Sequence, residues 1–126
     1  MNNDTMVGWP SSLHDAVVDS FSFDASRCRL EVIIWQKLES GNMSWGKLVV
    51  SGIAGGSAQK LQEIQATIDA VLRKEKRKSL SFRIDEFQCR KQPVVNGGSG
   101  FTINLSIDHL ASMTIDCLKC TFLPLQ

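Results

Sequence analysis

The residues in this chain most able to do chemistry are two neighbouring histidine–aspartate pairs, His14-Asp15 and Asp108-His109. An imidazole beside a carboxylate can act as a general base or contribute to a metal site, because the carboxylate orients the ring and fixes its tautomer. A metal-dependent hydrolase built on such a doublet needs further His and Asp ligands, and the chain has only 2 histidines. If the two met in space they could share a metal, with Cys117 or Cys120 as a further donor. An enzyme reading, for a small metal- or ligand-binding protein, therefore rests on His14, Asp15 and His109. The plainer reading has Asp15 capping a turn and His14 packing locally.

The other candidates are weaker. Cys117-Leu118-Lys119-Cys120 matches C-x-x-C, but it falls in strand-like sequence, where residues three apart point to opposite faces. A redox motif places that pair at a helix start. All four cysteines, Cys28, Cys89, Cys117 and Cys120, read as small apolar residues. Gly52-Ile53-Ala54-Gly55-Gly56-Ser57 separates a strand from a helix, yet fits neither G-x-x-x-x-G-K-[ST] nor G-x-G-x-x-G. The basic run Arg73-Lys74-Glu75-Lys76-Arg77-Lys78 lacks the interleaved aromatics of a nucleic-acid surface. It reads as a solvated helix end that offsets the helix dipole. No nucleophile–base arrangement can be assigned. No catalytic residue, metal ligand or cofactor is therefore expected, and a non-enzyme is favoured. Of the three tryptophans, Trp35 reads as core, while Trp9 and Trp45 flank polar turns and suit an exposed contact.

The elements that position these residues follow from periodicity. Ala16–Asp24 alternates, with Val17, Phe21 and Phe23 on one face and Val18, Ser20 and Ser22 on the other. After the turn residues Asp24-Ala25-Ser26, a long strand runs to about Glu39. Its faces carry Cys28, Leu30, Val32, Ile34 and Leu38 against Arg29, Glu31, Ile33, Trp35 and Lys37. Ser40-Gly41-Asn42 signals a hairpin into a third strand from about Ser44 to Ile53. Ser57 is a good N-cap residue for the helix that follows. Leu61, Ile64, Ile68, Val71 and Leu72 recur on one face of that helix, which spans about five turns. Leu80, Phe82 and Ile84 begin a fourth strand. Residues 92–100 read as a long turn. Phe101, Ile103, Leu105 and Ile107, and then Met113, Ile115 and Cys117, mark two more strands, with Pro124 stopping the last. The expected fold is α+β, a mainly antiparallel sheet of about six strands in the order β-β-β-α-β-β-β. One amphipathic helix packs on one face.

Bulk properties agree with one domain over residues 1–126, residues 1–8 being mobile. The chain is 43% hydrophobic and 21% charged, which suits a globular domain. Its net charge of +1 gives no global field for nucleic acid or an anionic membrane. Charge is segregated, however: residues 1–26 hold Asp4, Asp15, Asp19 and Asp24 and no Lys or Arg. No apolar run approaches a membrane span and no signal peptide is visible, so a soluble cytoplasmic protein is expected.

Two segments resemble a known family. Trp9-Pro10-Ser11-Ser12-Leu13-His14-Asp15-Ala16-Val17 is similar to the W-P-x-x-x-H-D-A opening of small bacterial immunity proteins, as in the immunity protein 50 family. Trp45-Gly46-Lys47-Leu48-Val49-Val50-Ser51-Gly52-Ile53 resembles a W-x-x-L-x-F-x-G-V strand in such domains. The resemblance implies a non-enzyme that binds and neutralises a toxin. Near-neutral charge departs from the acidic character common in nuclease inhibitors. A protein partner is expected, with Trp9, His14, Asp15, Asp19 and Trp45 as contact residues. Homo-oligomerisation is left open.

Overall fold

The computed structural model describes residues 13–93 and 99–125, so Trp9 and the segment expected to be mobile lie outside it. Its elements are β1 (Val17–Asp24), β2 (Arg29–Lys37), β3 (Met43–Ser51), α1 (Gly55–Glu75), β4 (Phe82–Pro93), β5 (Ser99–Ile107), β6 (Met113–Cys117) and β7 (Lys119–Leu125). The α+β class, the antiparallel pairing and the β-β-β-α-β-β-β order agree with the sequence reading. The final segment is interrupted at Leu118, giving seven strands in the order β6-β5-β4-β1-β2-β3-β7.

The end strands of that sheet, β6 and β7, are separated in sequence by Leu118 alone. A flat seven-stranded sheet would hold them far apart, so the sheet must curl until its ends meet. Two layers result, β1-β2-β3-β7 and β4-β5-β6, joined by backbone on two sides. On one side the start of β4 pairs with β1, Val17 opposite Arg83 and Val18 opposite Phe82. On the other, the Leu118 N–H donates to the Ser51 carbonyl at 3.1 Å as the chain crosses over. The inward residues of both layers form one core, including Leu30, Val32, Ile34, Leu48 and Val50 from the first and Ile84, Ile103, Leu105, Met113 and Ile115 from the second.

Helix α1 buries Leu61, Ile64 and Ile68 in that core and packs against β1 and β6. Its N-cap is Ala54 with no side-chain cap, not Ser57 as the sequence suggested. Ser57 lies inside the first turn, buried, and bonds to the edge of β6. Its hydroxyl accepts from the Asp116 N–H at 3.0 Å and lies 3.4 Å from the Thr114 carbonyl. The Gln65 side chain likewise accepts the Phe23 N–H of β1 at 2.8 Å. The helix thus occupies the strand edges that β1 and β6 leave unpaired. Its last turn carries Arg73 and Lys74, and Lys76 caps it in a left-handed conformation.

Three departures from simple alternation shape the layers. A bulge between Val18 and Ser20 shifts β1, so Val18 and Phe21 are both buried while Val17 faces outward. The expected grouping of Val17 with Phe21 fails for that reason. β4 continues through residues expected to be a turn, as far as Pro93 opposite Ser99, with an irregularity between Ile84 and Glu86. Trp35 is half-buried on the outer face of β2, so it is not a core residue.

Gly52 turns the chain out of β3 at φ +66°, and Leu118 lies directly over it. A Cβ there would come within 2.7 Å of the Leu118 Cβ. Gly55 has open space around its Cα. Gly52→Ala is therefore expected to lower stability by roughly 1–3 kcal/mol through strain at positive φ. Gly55→Ala, in the first helical turn, is expected to raise it by about 0.4–1 kcal/mol. Urea unfolding of the two variants checks the opposite signs.

Candidate functional site

The outer face of the β1-β2-β3-β7 layer is the best candidate for a functional surface. Val17, Trp35, Trp45 and Leu125 are successive cross-strand partners, so they form one row across four strands. The neighbouring row is Ser20, Ile33, Lys47 and Leu123. Met43, opposite Lys37, extends the apolar area toward the β2–β3 hairpin, where Leu38 is also exposed. The two indole rings sit 6.3 Å apart at 40°, a tilted packing that holds both with little freedom. Met43, Leu123 and Leu125 remain 50%, 48% and 37% exposed. Apolar groups gathered this closely on a solvent face are a recognised mark of an interaction site.

The face becomes polar along β2, with Lys47 standing between Ile33 and Leu123. Two residues along β2 from Ile33, Glu31 accepts from the Arg29 guanidinium at 2.9 Å and lies 3.4 Å from the Lys47 ammonium. The bonded Arg29 holds the Glu31 carboxyl below the ordinary carboxylate range, with Lys47 adding to the effect. These groups roof Val49, which lies beside Glu31 yet is buried. A polar depression of about 160 Å³ beyond them is lined by Ser22, Asp24, Arg27, Arg29 and Glu31. Asp24 closes the β1–β2 turn by accepting from the Ser26 hydroxyl and the Ser26 and Arg27 amides, as its turn chemistry predicted. The Ser26 bond lowers its pKa.

The sequence-derived candidates take up distinct places. Trp45 is at the centre of the apolar row. His14 and Asp15 are separated from Val17, at the β1 end of that row, by the buried Ala16. Their side chains are 60% and 67% exposed, with His14 Nδ1 3.4 Å from Asp15 Oδ2. Asp15 sits in the left-handed region, φ 69°, and its N–H donates to the Ile84 carbonyl. Asp19 is the inserted residue of the β1 bulge, and its carboxylate accepts from the Ser79 hydroxyl at 2.8 Å. Trp9 lies outside the described residues.

His109 lines a depression that His14 and Asp15 do not share, although the Asp15 and Asp108 N–H groups donate to the neighbouring Ile84 and Arg83 carbonyls of β4. It occupies the β5–β6 turn at φ 72°, its ring 4.9 Å from that of Phe82. It lines a depression of about 140 Å³ with Lys60, Glu63, Ile64, Thr67, Leu110 and Ala111, none of them from the His14 segment. Among the described residues no three His, Cys, Asp or Glu side chains are set to hold a metal ion. In the basic run Arg73, Lys74, Lys76 and Lys78 are exposed. Arg77 folds back over the Phe82 ring, 5.5 Å from its centroid, with Nε 3.2 Å from Glu75.

Sequence reasoning missed Trp35, Leu123 and Leu125. Alternation placed Trp35 beside Glu31 and Lys37, which was a signal of its outward position. β7 had no independent signature, because its pattern was read as the tail of β6. No known protein family, curated protein or solved structure matches the chain. Among the described residues no helix is long and apolar enough to cross a membrane.

Because Glu31 has a depressed folded-state pKa, its ion pairs stabilise the fold above the unfolded carboxyl value of about 4.3. That contribution is lost as pH falls through the lower folded value. Glu31→Gln should therefore cost stability at neutral pH, by less than about 1 kcal/mol for such half-exposed pairs. The gap from the parent should close in strong acid. Urea midpoints measured across that pH range check it.

Proposed function

We propose that this chain is a protein-binding module, specifically a cytoplasmic bacterial immunity protein that neutralises a toxin by docking the Trp35–Trp45–Leu125 face onto it. The observation that carries the reading is the row of two indoles and exposed aliphatic side chains, fixed in register on a rigid sheet. Binding energy concentrates in Trp-centred clusters surrounded by groups that exclude water. Here Lys37 and Lys47 provide a charged rim, and His14 and Asp15 add polar contacts at one end. Preorganisation favours such a face, since ladder pairing and ring packing have already restricted the side chains that would be ordered on binding. The resemblance of the Trp9–Val17 and Trp45–Ile53 segments to immunity proteins points to the same class, and Trp45 belongs to both arguments.

The enzyme reading has less support, since the depression that His109 lines includes neither His14 nor Asp15, and among the described residues no three ligating side chains gather. Nucleic-acid binding has less again, because Arg77 is engaged with Phe82 and Glu75.

The test is affinity capture with the parent chain, Leu123→Asp and the control Gln88→Ala on exposed β4. One partner recovered near stoichiometrically by the parent and control is expected, with at least tenfold less on Leu123→Asp. Loss of a well-placed apolar contact costs about 2 kcal/mol or more at such sites. Producing the captured partner alone should arrest growth, and co-production of the parent chain should relieve it. Equal recovery by all three proteins would remove this face from consideration. A partner with no effect on growth would leave a binding module but overturn the immunity function.

A further inference from the structure

The polar end of the same outer face carries more hydrogen-bond donors than it uses. Along β2 the outward residues run Trp35, Ile33, Glu31 and Arg29, and Arg29 stands opposite Asp24 of β1. Both carboxylates there have donors of their own. Asp24 Oδ1 accepts from the Ser26 hydroxyl at 2.7 Å, the Ser26 N–H at 3.0 Å and the Arg27 N–H at 3.3 Å. Glu31 Oε2 accepts from Arg29 Nε at 2.9 Å, and its Oε1 accepts from Lys47 Nζ at 3.4 Å.

The cations are not used up in return. A guanidinium carries several N–H donors, and among the described residues Arg29 commits only its Nε. Arg27 is exposed in the β1–β2 turn, and Lys119 is exposed at the same end of β7. Among the described residues neither has a carboxylate within ion-pair distance. The depression of about 160 Å³ that Arg27 and Arg29 line with Ser22, Asp24 and Glu31 therefore offers more free donors than acceptors.

We infer that this depression is a carboxylate-binding subsite of the docking face, where the guanidinium groups of Arg27 and Arg29 take an Asp or Glu side chain of the protein partner. The inference rests on the docking reading above and gives the partner's surface a chemistry. A planar fork of N–H groups matches a carboxylate in parallel, charge-assisted bonds, which are stronger than neutral ones. The bond to Glu31 orders the Arg29 side chain before any partner arrives, which lowers the entropy lost on binding. Lys47 beyond Glu31 and Lys119 across β3 add positive charge that offsets Asp24 and Glu31. A partner presenting a cation here would meet like charge and find few free acceptors.

Strand register sets the spacing. Arg29 and Trp35 are six residues apart on β2, roughly 20 Å at the rise of an extended strand. The partner surface thus carries an apolar patch over the Trp35–Trp45–Leu125 row and an acidic side chain roughly 20 Å from it along β2.

The experiment takes the partner captured by the parent chain, purified, and titrates it into the full chain carrying Arg27→Gln, Arg29→Gln or both. Calorimetry is run at low salt and at about 0.5 M sodium chloride, where exposed charges are screened. Arg27 takes part in no ion pair, so Arg27→Gln reads the partner contact without disturbing the sheet. It is expected to weaken binding roughly tenfold at low salt, the loss of a hydrogen bond between charged groups. The double variant should lose more, and its affinity should depend less on salt than the parent's. Arg29→Lys supplies an amine for carbodiimide coupling, and mass spectrometry should find an amide from position 29 to an Asp or Glu of the partner. Unchanged affinity in the double variant, while Leu123→Asp still loses the partner, would overturn this subsite and leave the docking face standing. Coupling of position 29 only to carboxylates of its own chain would do the same. Recovery of no partner, or equal recovery on Leu123→Asp, would overturn the docking reading and this inference with it.

Discussion

The arrangement of this fold depends on one short covalent constraint, the single residue between β6 and β7. Those strands are the two ends of the sheet, and Leu118 allows them no more separation than a corner. A seven-stranded sheet whose ends must touch has to curl. Curling places the inner faces of β1-β2-β3-β7 and β4-β5-β6 against each other, which is what gives both layers a common core. The Leu118 bond to Ser51 and the left-handed Gly52 beneath it fix that corner. The β1 bulge at Asp19 and the irregular start of β4 accommodate the opposite one. The helix then has a defined place, held between the free edges of β1 and β6 by Gln65 and Ser57.

Once the interior is shared, each strand has one face committed and one face left. On β5 and β6 the remaining side chains are mostly short and polar, such as Asn104, Ser106, Thr114 and Asp116, and Thr102 satisfies Asp116 directly at 2.8 Å. The outer face of β2, β3 and β7 is different. Glu31 draws Arg29 and Lys47 together over Val49, so that Lys47, between Ile33 and Leu123, bounds the apolar row of Val17, Trp35, Trp45 and Leu125. This segregation distinguishes a docking face from scattered exposed hydrophobic residues, which every protein surface carries. It also gives the positive and negative groups of a nearly neutral chain an organised layout at the rim.

The parts legible in the sequence were those governed by local periodicity. Leu61, Ile64 and Ile68 marked the helix. Phe101 to Ile107 and Met113 to Cys117 marked strands whose buried residues were named correctly. The β2 alternation even put Trp35 on the charged face, although size and hydrophobicity argued for the core. What alternation could not reveal was where it breaks. One inserted residue at Asp19 exchanges the faces of Val17 and Val18, and one break at Leu118 leaves both Cys117 and Cys120 buried where unbroken alternation would part them. Ser57 carried a local capping signal that a distant partner, the edge of β6, outcompeted. Such outcomes depend on pairings between segments far apart in the chain, and no local window contains them.

The corner at Leu118 also bears on how this chain reaches its fold. β1, β2 and β3 are successive hairpins that can pair as soon as each turn closes. β3 and β7, by contrast, pair only by closing a loop from Ser51 to Lys119 that contains the helix and three strands. Closing a loop of that length costs entropy before its contacts can compensate, and such non-local pairings make folding slow. During that interval β3 presents an unpaired edge beside Trp45 and Met43, open to mispairing with another chain. Pro124, which lacks an N–H, then interrupts the edge that β7 brings to the end of the finished sheet. The corner that gives the molecule its common interior is therefore also the step at which kinetic competition with aggregation is decided.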